Sequence, residues 1–334
     1  MTLANSSRPS TAAVAIALLI VYVVWGSTYL AIAVMIETLP PLLSAGVRYA
    51  VAGLLMLGAL AAQARFRRGR EPAERPTAIH WRSAFIIGSL LLLGGNGAVV
   101  LAELFIPSGI AAVLVATMPI WLAVFDALLS RRRPSGLVIG GLIAGIVGVA
   151  ILLAPVEGIE DLDPLGIGLV IGATISWAAG SLYARRAPLP SSQLLGTGME
   201  MLAGGIVLFA AGSLLGEIGR TNVESFSIRS LVAVAYLTVF GSIIAFTAYT
   251  WLLANVPVST VGTYAYVNPI VAVALGAVIL SEPITPRTLI ATAIIIGAVV
   301  AMVSGRPREA EEAGPVPEAV RLERAEAGTD QRES

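Results

Sequence analysis

The chain has 334 residues, of which 57% are hydrophobic and only 13% are charged, and its 21 basic and 21 acidic residues balance. Because soluble domains carry about 25% charged residues, this composition indicates a membrane protein. Cysteine and lysine are absent, and His80 is the only histidine. This excludes disulfides, Schiff-base lysines, a Walker-type lysine, histidine-based triads and His/Cys metal clusters. We therefore expect no catalytic group, cofactor, metal or nucleic-acid partner.

Ten apolar stretches are long enough to cross a bilayer, because an apolar helix needs about 20 residues, with a range of about 17–25. They lie near residues 11–34, 42–62, 84–104, 108–129, 136–154, 165–184, 194–215, 231–253, 258–280 and 287–304. Backbone groups in lipid must satisfy one another, so each stretch is predicted to be an α-helix. The expected fold is an all-α polytopic membrane protein with ten transmembrane helices.

Arginine placement predicts the orientation of these spans. If the spans alternate in direction, the arginines at 65–82, 131–133 and 185–186 fall on the same side as both termini. The opposite side receives only Arg220, Arg229 and Arg287. Loops rich in Lys and Arg stay in the cytoplasm. We therefore expect a multi-pass protein of the cell membrane with both termini cytoplasmic.

Shared landmarks divide the chain into two halves. Trp25 and Trp177 occupy matching places in spans 1 and 6, and Pro119 and Pro269 occupy matching places in spans 4 and 9. Five spans per half is an odd number, so the second half is predicted to be inverted in the membrane. The expected organisation is a cytoplasmic N-terminus at 1–10, repeats at 11–154 and 165–304, and a disordered cytoplasmic tail at 305–334.

Four segments carry a family resemblance: VWGSTYLAI at 24–32, ATMPI at 116–120, ISWAAGSLY at 175–183 and YAYVNPIVAV at 264–273. In order and spacing the chain resembles the EamA family of the drug/metabolite transporter superfamily, closest to its YedA-type exporters. The resemblance covers about residues 14–304. It implies a 5+5 inverted repeat around a central cavity and the export of small metabolites, amino acids or drugs. Many members carry a glutamate near the end of span 4, where this chain has Arg131–Arg133.

Aromatic side chains near mid-span are candidates for a substrate cavity. Trp25 and Tyr29 are four residues apart and share a face of span 1, and Trp177 begins the matching patch in span 6. Rings bind apolar and cationic ligands alike. The alternative is an interfacial aromatic belt, which the mid-span positions of Trp25 and Trp177 argue against.

Polar residues in spans 3, 8 and 9 complete this candidate set. Asn96 lies among glycines in span 3, where its amide either faces substrate or joins two helices. Tyr249 is its approximate counterpart in span 8. Tyr264 and Asn268 are four residues apart and share a face of span 9. We predict that all of them line the cavity.

Four ionisable residues lie within predicted spans, where charge is costly and is therefore a candidate for function. Arg48 and Glu200 occupy matching places in spans 2 and 7 and either contact substrate or serve as structural charges, with a direct ion pair between them left open. Glu103, near the end of span 3, is either a cavity-mouth carboxylate or an interfacial acid exposed to water. Asp126 is interpreted as an interfacial partner of the nearby arginines.

Pro119 and Pro269 are candidates for gates, because proline frees a carbonyl one turn earlier and permits a kink. Gly-xxx-Gly pairs at 141/145, 168/172 and 212/216 favour close helix packing within one subunit or between two. Both a monomer and a homodimer therefore fit the sequence.

The function that these features favour is secondary transport, with export of a small molecule through a cavity between inverted repeats. Energy would come from a coupling proton or ion, or from the substrate gradient itself. The alternatives are uptake or exchange of sugars or nucleotide-sugars, and a membrane receptor or scaffold. An enzyme would need paired catalytic groups at membrane depth, and the sequence shows no recognisable pair.

Overall fold

The computed structural model describes residues 10–66, 75–130, 136–153, 162–256 and 263–304, and all regular structure within these ranges is helical. The predicted all-α fold is thereby confirmed. The predicted N-terminal segment before residue 10, Arg131–Arg133 and the tail from residue 305 lie outside the described residues.

The helices are labelled α1 to α10 in the order of the predicted spans. Their bounds are α1 Thr11–Ile36, α2 Pro41–Phe66, α3 Ala78–Ala102, α4 in two parts as Ser108–Val115 and Met118–Ser130, α5 Gly136–Leu153, α6 Pro164–Ala184, α7 Gln193–Leu214, α8 from Ile228 to Asn255, α9 Tyr264–Leu280 and α10 Pro286–Ser304. Six of them are long and apolar enough to cross a membrane: α1, α2, α3, α6, α7 and α8. The described parts of α4, α5, α9 and α10 are shorter apolar helices.

Short polar side chains begin several of these helices. Ser10, Ser192 and Ser227 each accept a backbone N–H of the first turn of α1, α7 and α8. Asp163 does the same for α6, and Pro164 follows it at the first helical position. Such caps satisfy N–H groups that have no partner within the helix, which matters most where water is scarce.

Two predicted spans differ from the observed helices. The fourth is predicted as one span in which Pro119 permits a kink, and α4 is in fact interrupted at Ala116 and Thr117, two residues before that proline. A proline lacks the N–H that would continue the ladder, which accounts for a break at this place. The third begins earlier than expected, at Ala78, so Trp81 lies in its first turns with 38% of its surface exposed.

Helices of the first half pack mainly against helices of the second half. The closest pairs are α2 with α7 and α5 with α10. Three further contacts between the halves have counterparts with the halves exchanged: α1–α9 matches α6–α4, α1–α8 matches α6–α3, and α3–α7 matches α8–α2. This exchange pattern fits a duplicated, inverted arrangement of the helices.

Glycines allow α2 and α7 to approach closely. A Cβ atom added at Gly53 would lie 2.6 Å from the backbone nitrogen of Leu202 and 2.8 Å from the carbonyl oxygen of Gly198. Gly46 meets the backbone of α7 in the same way, with Phe209 nitrogen at 2.6 Å. Small residues at such crossings let helix backbones touch, which is how helices associate in lipid.

The Gly-xxx-Gly pairs do not share one role. Gly212 faces Leu42 and Leu43 of α2 within the same chain, whereas a Cβ at Gly168 or Gly172 would meet open space. Packing within the subunit therefore accounts for Gly212, whereas Gly216 serves the turn that follows α7, and neither Gly168 nor Gly172 packs against another of the described helices.

Two glutamates of the second half cap helices of the first half. Glu217 accepts the backbone N–H groups of Leu42 (3.1 Å) and Leu43 (2.9 Å) at the start of α2. Glu282 accepts the N–H groups of Ser108 (2.8 Å) and Gly109 (3.0 Å) at the start of α4, and the Ser108 hydroxyl (2.7 Å). A carboxylate satisfies the orphan N–H groups of a helix N-terminus and complements its dipole.

Local backbone geometry aims both glutamates. Gly216 (φ 79°) and Ser281 (φ 56°) are the two described residues with positive φ, and each directly precedes one of these glutamates. Glycine adopts this conformation freely, whereas for serine it costs about 1–2 kcal/mol. The turns after α7 and after α9 therefore have the same local conformation. In each, a residue with positive φ reverses the chain and the glutamate after it contacts a helix of the other half.

The α2–α7 crossing predicts that alanine substitution destabilises the protein at one glycine of α2 and not at another. Gly53→Ala should destabilise the protein by about 1–3 kcal/mol, because the new methyl group meets backbone that has no flexible side chain to move aside. Gly58→Ala is the matched control, since nothing lies within 4 Å of that position. Melting temperature and monodispersity in detergent would measure both; equal stability of the two variants would contradict the proposed contact.

The carboxylate caps predict that the capping glutamates contribute more to stability than an exposed glutamate does. Glu217→Gln and Glu282→Gln should each lower the melting temperature by the equivalent of about 1–3 kcal/mol, because an amide loses the negative charge and turns its NH2 group toward N–H donors. Glu37→Gln is the control. Its ion pair with Arg229 (3.5 Å) joins side chains that are 39% and 55% exposed, and such pairs contribute about 0–1 kcal/mol. A loss in Glu37→Gln as large as in the cap variants would refute this ranking.

Candidate functional site

A cavity of about 130 Å³ lies between the two halves. Its walls come from α1, α2, α3 and α4 of the first half and from α6, α8 and α9 of the second half. Six of the seven residues predicted to line the cavity are on its wall: Trp25, Tyr29, Asn96, Trp177, Tyr264 and Asn268. The seventh, Tyr249, packs behind the wall.

Three π-helical segments meet at this cavity. They are Val21–Trp25 in α1, Ser89–Gly97 in α3 and Leu237–Ile244 in α8. A π-helical turn widens the helix and rearranges its hydrogen bonds, and such turns recur at functional sites. Each segment contributes residues to the wall: Trp25 from α1, Gly95 and Asn96 from α3, and Gly241 and Ser242 from α8.

Side chains bind some of the backbone carbonyls of these segments. The indole N–H of Trp25 donates to the carbonyl of Gly241 (3.2 Å), which joins two π-helical segments from opposite halves. The Ser176 hydroxyl of α6 donates to the carbonyl of Leu90 in α3 (2.8 Å). Irregular backbone is tolerated at membrane depth only where protein or a cavity surrounds it, and these contacts supply part of that environment.

An aromatic cluster forms the α1, α8 and α9 side of the cavity. The Trp25 ring lies 5.0 Å from Tyr249, 5.2 Å from Tyr264 and 5.7 Å from Phe246, measured between ring centres. Tyr249 and Tyr264 pack edge to face at 6.0 Å. Tilted and edge-to-face pairs are the favourable geometries for rings. Tyr249 therefore holds the wall-forming rings of Trp25 and Tyr264 in position without lining the cavity itself.

Asn268 fixes α9 against α1. Its side chain is buried, and its amide nitrogen is assigned as donor to the carbonyls of Tyr22 and Tyr264, both at 3.2 Å. The hydroxyl groups of Tyr22 and Thr263 form a second hydrogen bond between the same helices. Pro269, next in the chain, lies within α9, and the described part of that helix continues through it without interruption.

Arg48 reaches the cavity from α2 and is 3% exposed. One terminal nitrogen, Nη2, donates to the Tyr49 hydroxyl (2.6 Å) and to Oδ1 of Asn96 (2.8 Å), and the guanidinium carbon lies 4.3 Å from the centre of the Tyr49 ring. No ion pair joins Arg48 to Glu200, which is half-buried on α7. The matching charges of spans 2 and 7 therefore do not neutralise each other.

Glu103 ends α3 with both carboxylate oxygens buried and without a hydrogen-bond partner among the described residues. The interpretation of Glu103 as an interfacial acid exposed to water is therefore wrong. Among the described residues, Tyr29, Arg48 and Glu282 interact with it electrostatically. The remaining predicted acid, Asp126, lies in α4, but its side chain is outside the described part of the structure.

Pro119 stands two residues after the interruption of α4. The Thr117 hydroxyl donates to the carbonyl of Leu114 (2.6 Å) at the break, and Met118 faces the cavity. A kink near Pro119 thus adjoins the wall, whereas Pro269 lies in unbroken helix. In the described ranges no group of three or more acidic or histidine side chains is placed to hold a metal ion.

Several wall residues have no counterpart in the sequence-based prediction. Tyr49 of α2 lies on the wall beside Arg48, for which the sequence left a substrate contact and a structural charge open. Thr28, Thr174 and Ser242 supply hydroxyl groups to the wall. Their spacing offers a partial signal, because Thr28 adjoins Tyr29 and Thr174 lies one turn before Trp177.

Comparison with known proteins agrees with this architecture. The EamA-like transporter family matches the chain twice, at residues 12–154 and 164–304. The "Uncharacterized inner membrane transporter YedA" of Escherichia coli (strain K12) is 40% identical over 291 residues, which are 87% of this chain and 90% of that protein. The "Probable amino-acid metabolite efflux pump" of the same strain is 23% identical and covers 83% of this chain and 90% of its own length.

A solved crystal structure shares the fold. It is 21% identical in sequence, covers 87% of this chain and 96% of its own, and superposes with a TM-score of 0.57. At this level of identity the likeness concerns the fold alone. The two family matches span nearly all of α1 to α10, and the duplicated segment fits an inverted repeat. This chain belongs to the EamA-like transporter family and is a multi-pass membrane protein.

Proposed function

We propose that this protein is a secondary transporter that exports small metabolites, amino acids or drugs by alternating access. The observation that carries the proposal is the cavity itself, whose wall is shared by helices of both family segments and includes six predicted substrate residues. A cavity that two halves share can open to one side when one half moves against the other. The relative named as an efflux pump supports the outward direction.

The carboxylate caps supply a gate for this cycle. Glu217 and Glu282 tie the ends of α7 and α9 to the starts of α2 and α4, and Glu37 pairs with Arg229 at the same end of α1 and α8. With the orientation predicted from arginine placement, in which both termini are cytoplasmic, this end faces the outside of the cell. The described arrangement then corresponds to a cavity whose outer end is held closed, and release of the substrate requires these contacts between the halves to part.

Glu103 is the candidate for coupling to a proton or ion. Its buried oxygens lack partners, and an ionised carboxylate in such a place is costly unless a proton or cation accompanies it. It lies within electrostatic range of Arg48 on the cavity wall and of Glu282 in the cap. A group whose charge interacts with both the cavity wall and the cap can link the states of the two.

Replacement of wall residues should reduce export without reducing the amount of folded protein. We expect Trp25→Ala and Asn268→Ala each to lower flux about tenfold, which corresponds to one or two lost aromatic contacts or a lost helix-joining hydrogen bond. A metabolite and drug export screen in cells with and without the protein identifies the solute, and counterflow in oriented vesicles measures the flux. Trp81→Ala, on an exposed first turn, is the matched control. Unchanged flux in both wall variants would remove this site.

Glu103→Gln should uncouple transport from a proton gradient. The amide keeps the shape of the side chain but cannot change charge, so counterflow at equal pH should persist while acceleration by a pH gradient disappears. Wild-type protein and Glu224→Gln, which changes an exposed carboxylate outside the gate contacts, should both retain that acceleration. A gradient response in Glu103→Gln equal to that of the wild type would exclude Glu103 as the coupling group.

A further inference from the structure

Arg48 is the only charged residue among the described residues of the cavity wall. It is 3% exposed, and no carboxylate in the described ranges forms an ion pair with it. Its two described hydrogen bonds both leave from Nη2 and go to neutral oxygens, while Nε is buried without a partner. A guanidinium has five N–H donors in a fixed fork, so much of its capacity is not used by the protein.

A buried cation without a counter-ion is unfavourable, and the cost falls when an anion joins it. Tyr49 and Asn96 reduce that cost only in part, because their oxygens carry partial charge. They also fix the guanidinium: the Tyr49 ring lies against it, and Asn96 holds one nitrogen. The arrangement resembles a receptor for a planar anion more than a closed structural ion pair, since its geometry is set and no described carboxylate contacts it. Glu103 acts on the guanidinium only through space and forms no ion pair with it.

The rest of the cavity wall favours a ligand that is mostly apolar. Trp25, Tyr29, Trp177, Phe246 and Tyr264 face the same cavity, and its other polar groups are neutral hydroxyls and amides. A volume of about 130 Å³ holds about ten waters, given that one water needs about 10–15 Å³ by this measure. The occupant is therefore a small molecule with an aromatic or apolar part and one charged end.

We propose that the substrate is a small monocarboxylate with an aromatic or apolar body, whose carboxylate binds the Arg48 guanidinium. This inference rests on the transport function proposed above and names its substrate class. A single guanidinium matches a single negative charge, and a carboxylate fits its fork with two parallel hydrogen bonds. A phosphate ester would bring more charge than this wall balances. The aromatic cluster at the α1, α8 and α9 side then packs against the body of the substrate.

The test compares an acid with its neutral isostere. Isothermal titration calorimetry on the full chain in detergent would measure phenylacetate and phenylacetamide, which share size and ring and differ in charge. Wild-type protein should bind phenylacetate at least tenfold more tightly than phenylacetamide. This ratio corresponds to a difference of about 1.4 kcal/mol in binding free energy, as expected for hydrogen bonds to a charged group. Arg48→Gln should abolish that preference and leave the affinity for phenylacetamide nearly unchanged. Arg48→Lys should keep a reduced preference, because the charge remains and the fork is lost.

Arg82→Gln is the matched control, since Arg82 is exposed on α3 and should leave the preference intact. Equal binding of acid and amide by the wild type, binding of neither, or a preference that survives in Arg48→Gln would each overturn the proposal. The wild-type comparison and Arg48→Lys decide the matter even where Arg48→Gln does not fold.

A separate measurement distinguishes this proposal from transport itself. Counterflow of labelled phenylacetate in vesicles containing wild-type protein tests movement, whereas calorimetry tests recognition. An acid preference in calorimetry without counterflow supports the anion site and counts against transport. Counterflow of neutral or cationic solutes, combined with equal binding of acid and amide, supports transport and refutes the carboxylate class.

Discussion

Backbone hydrogen bonding in hydrocarbon is the constraint on which this structure depends. Every N–H and C=O group at membrane depth needs a partner, so irregular backbone can occur only where protein or a cavity surrounds it. The three π-helical segments obey this rule, because all of them border the central cavity and two are joined by Trp25 and Gly241. The same places that depart from regular helix are therefore those at which a ligand can be held.

Charge is distributed according to a second constraint, the cost of burial. Carboxylates of the second half satisfy helix N-termini of the first half at one end of the bundle, where Glu217 and Glu282 accept five hydrogen bonds between them. The guanidinium of Arg48 stands deeper and has only neutral partners. The helix N-termini are thus satisfied by carboxylates of the protein, whereas the guanidinium in the cavity forms no ion pair among the described residues. This contrast separates structural from ligand-binding groups.

The sequence predicts much of this arrangement because bilayer thickness and repeat symmetry leave direct marks on it. Apolar length placed the helices, and the matching positions of Trp25 and Trp177 indicated a shared wall, on which both residues lie. The π-helical segments have no comparable sequence signal, since residues such as Leu90 and Leu237 suit a regular α-helix equally well. The sequence left Arg48 open between a substrate contact and a structural charge, because its depth in the span does not reveal the direction of its side chain.

The caps were missed for a related reason. Glu217 and Glu282 lie in polar turns, where acidic residues are ordinary, and their partners are more than 170 residues away in the chain. Only the positive φ of Gly216 and Ser281 aims them inward, and a serine gives no warning of that conformation. Long-range contacts made by short turns are the part of such a fold that composition and periodicity do not encode.

Electrostatic proximity connects the cavity to the gate. Glu103 lies within range of both Arg48 and Glu282, so its charge is favoured by the first and opposed by the second. A carboxylate bound to Arg48 would offset the positive charge that favours ionised Glu103, and the repulsion from Glu282 would then be left without compensation. Uptake of a proton or cation by Glu103 would relieve that repulsion and change the field at the cap of α4. The charge state of Glu103 would in this way couple substrate binding to opening of the gate.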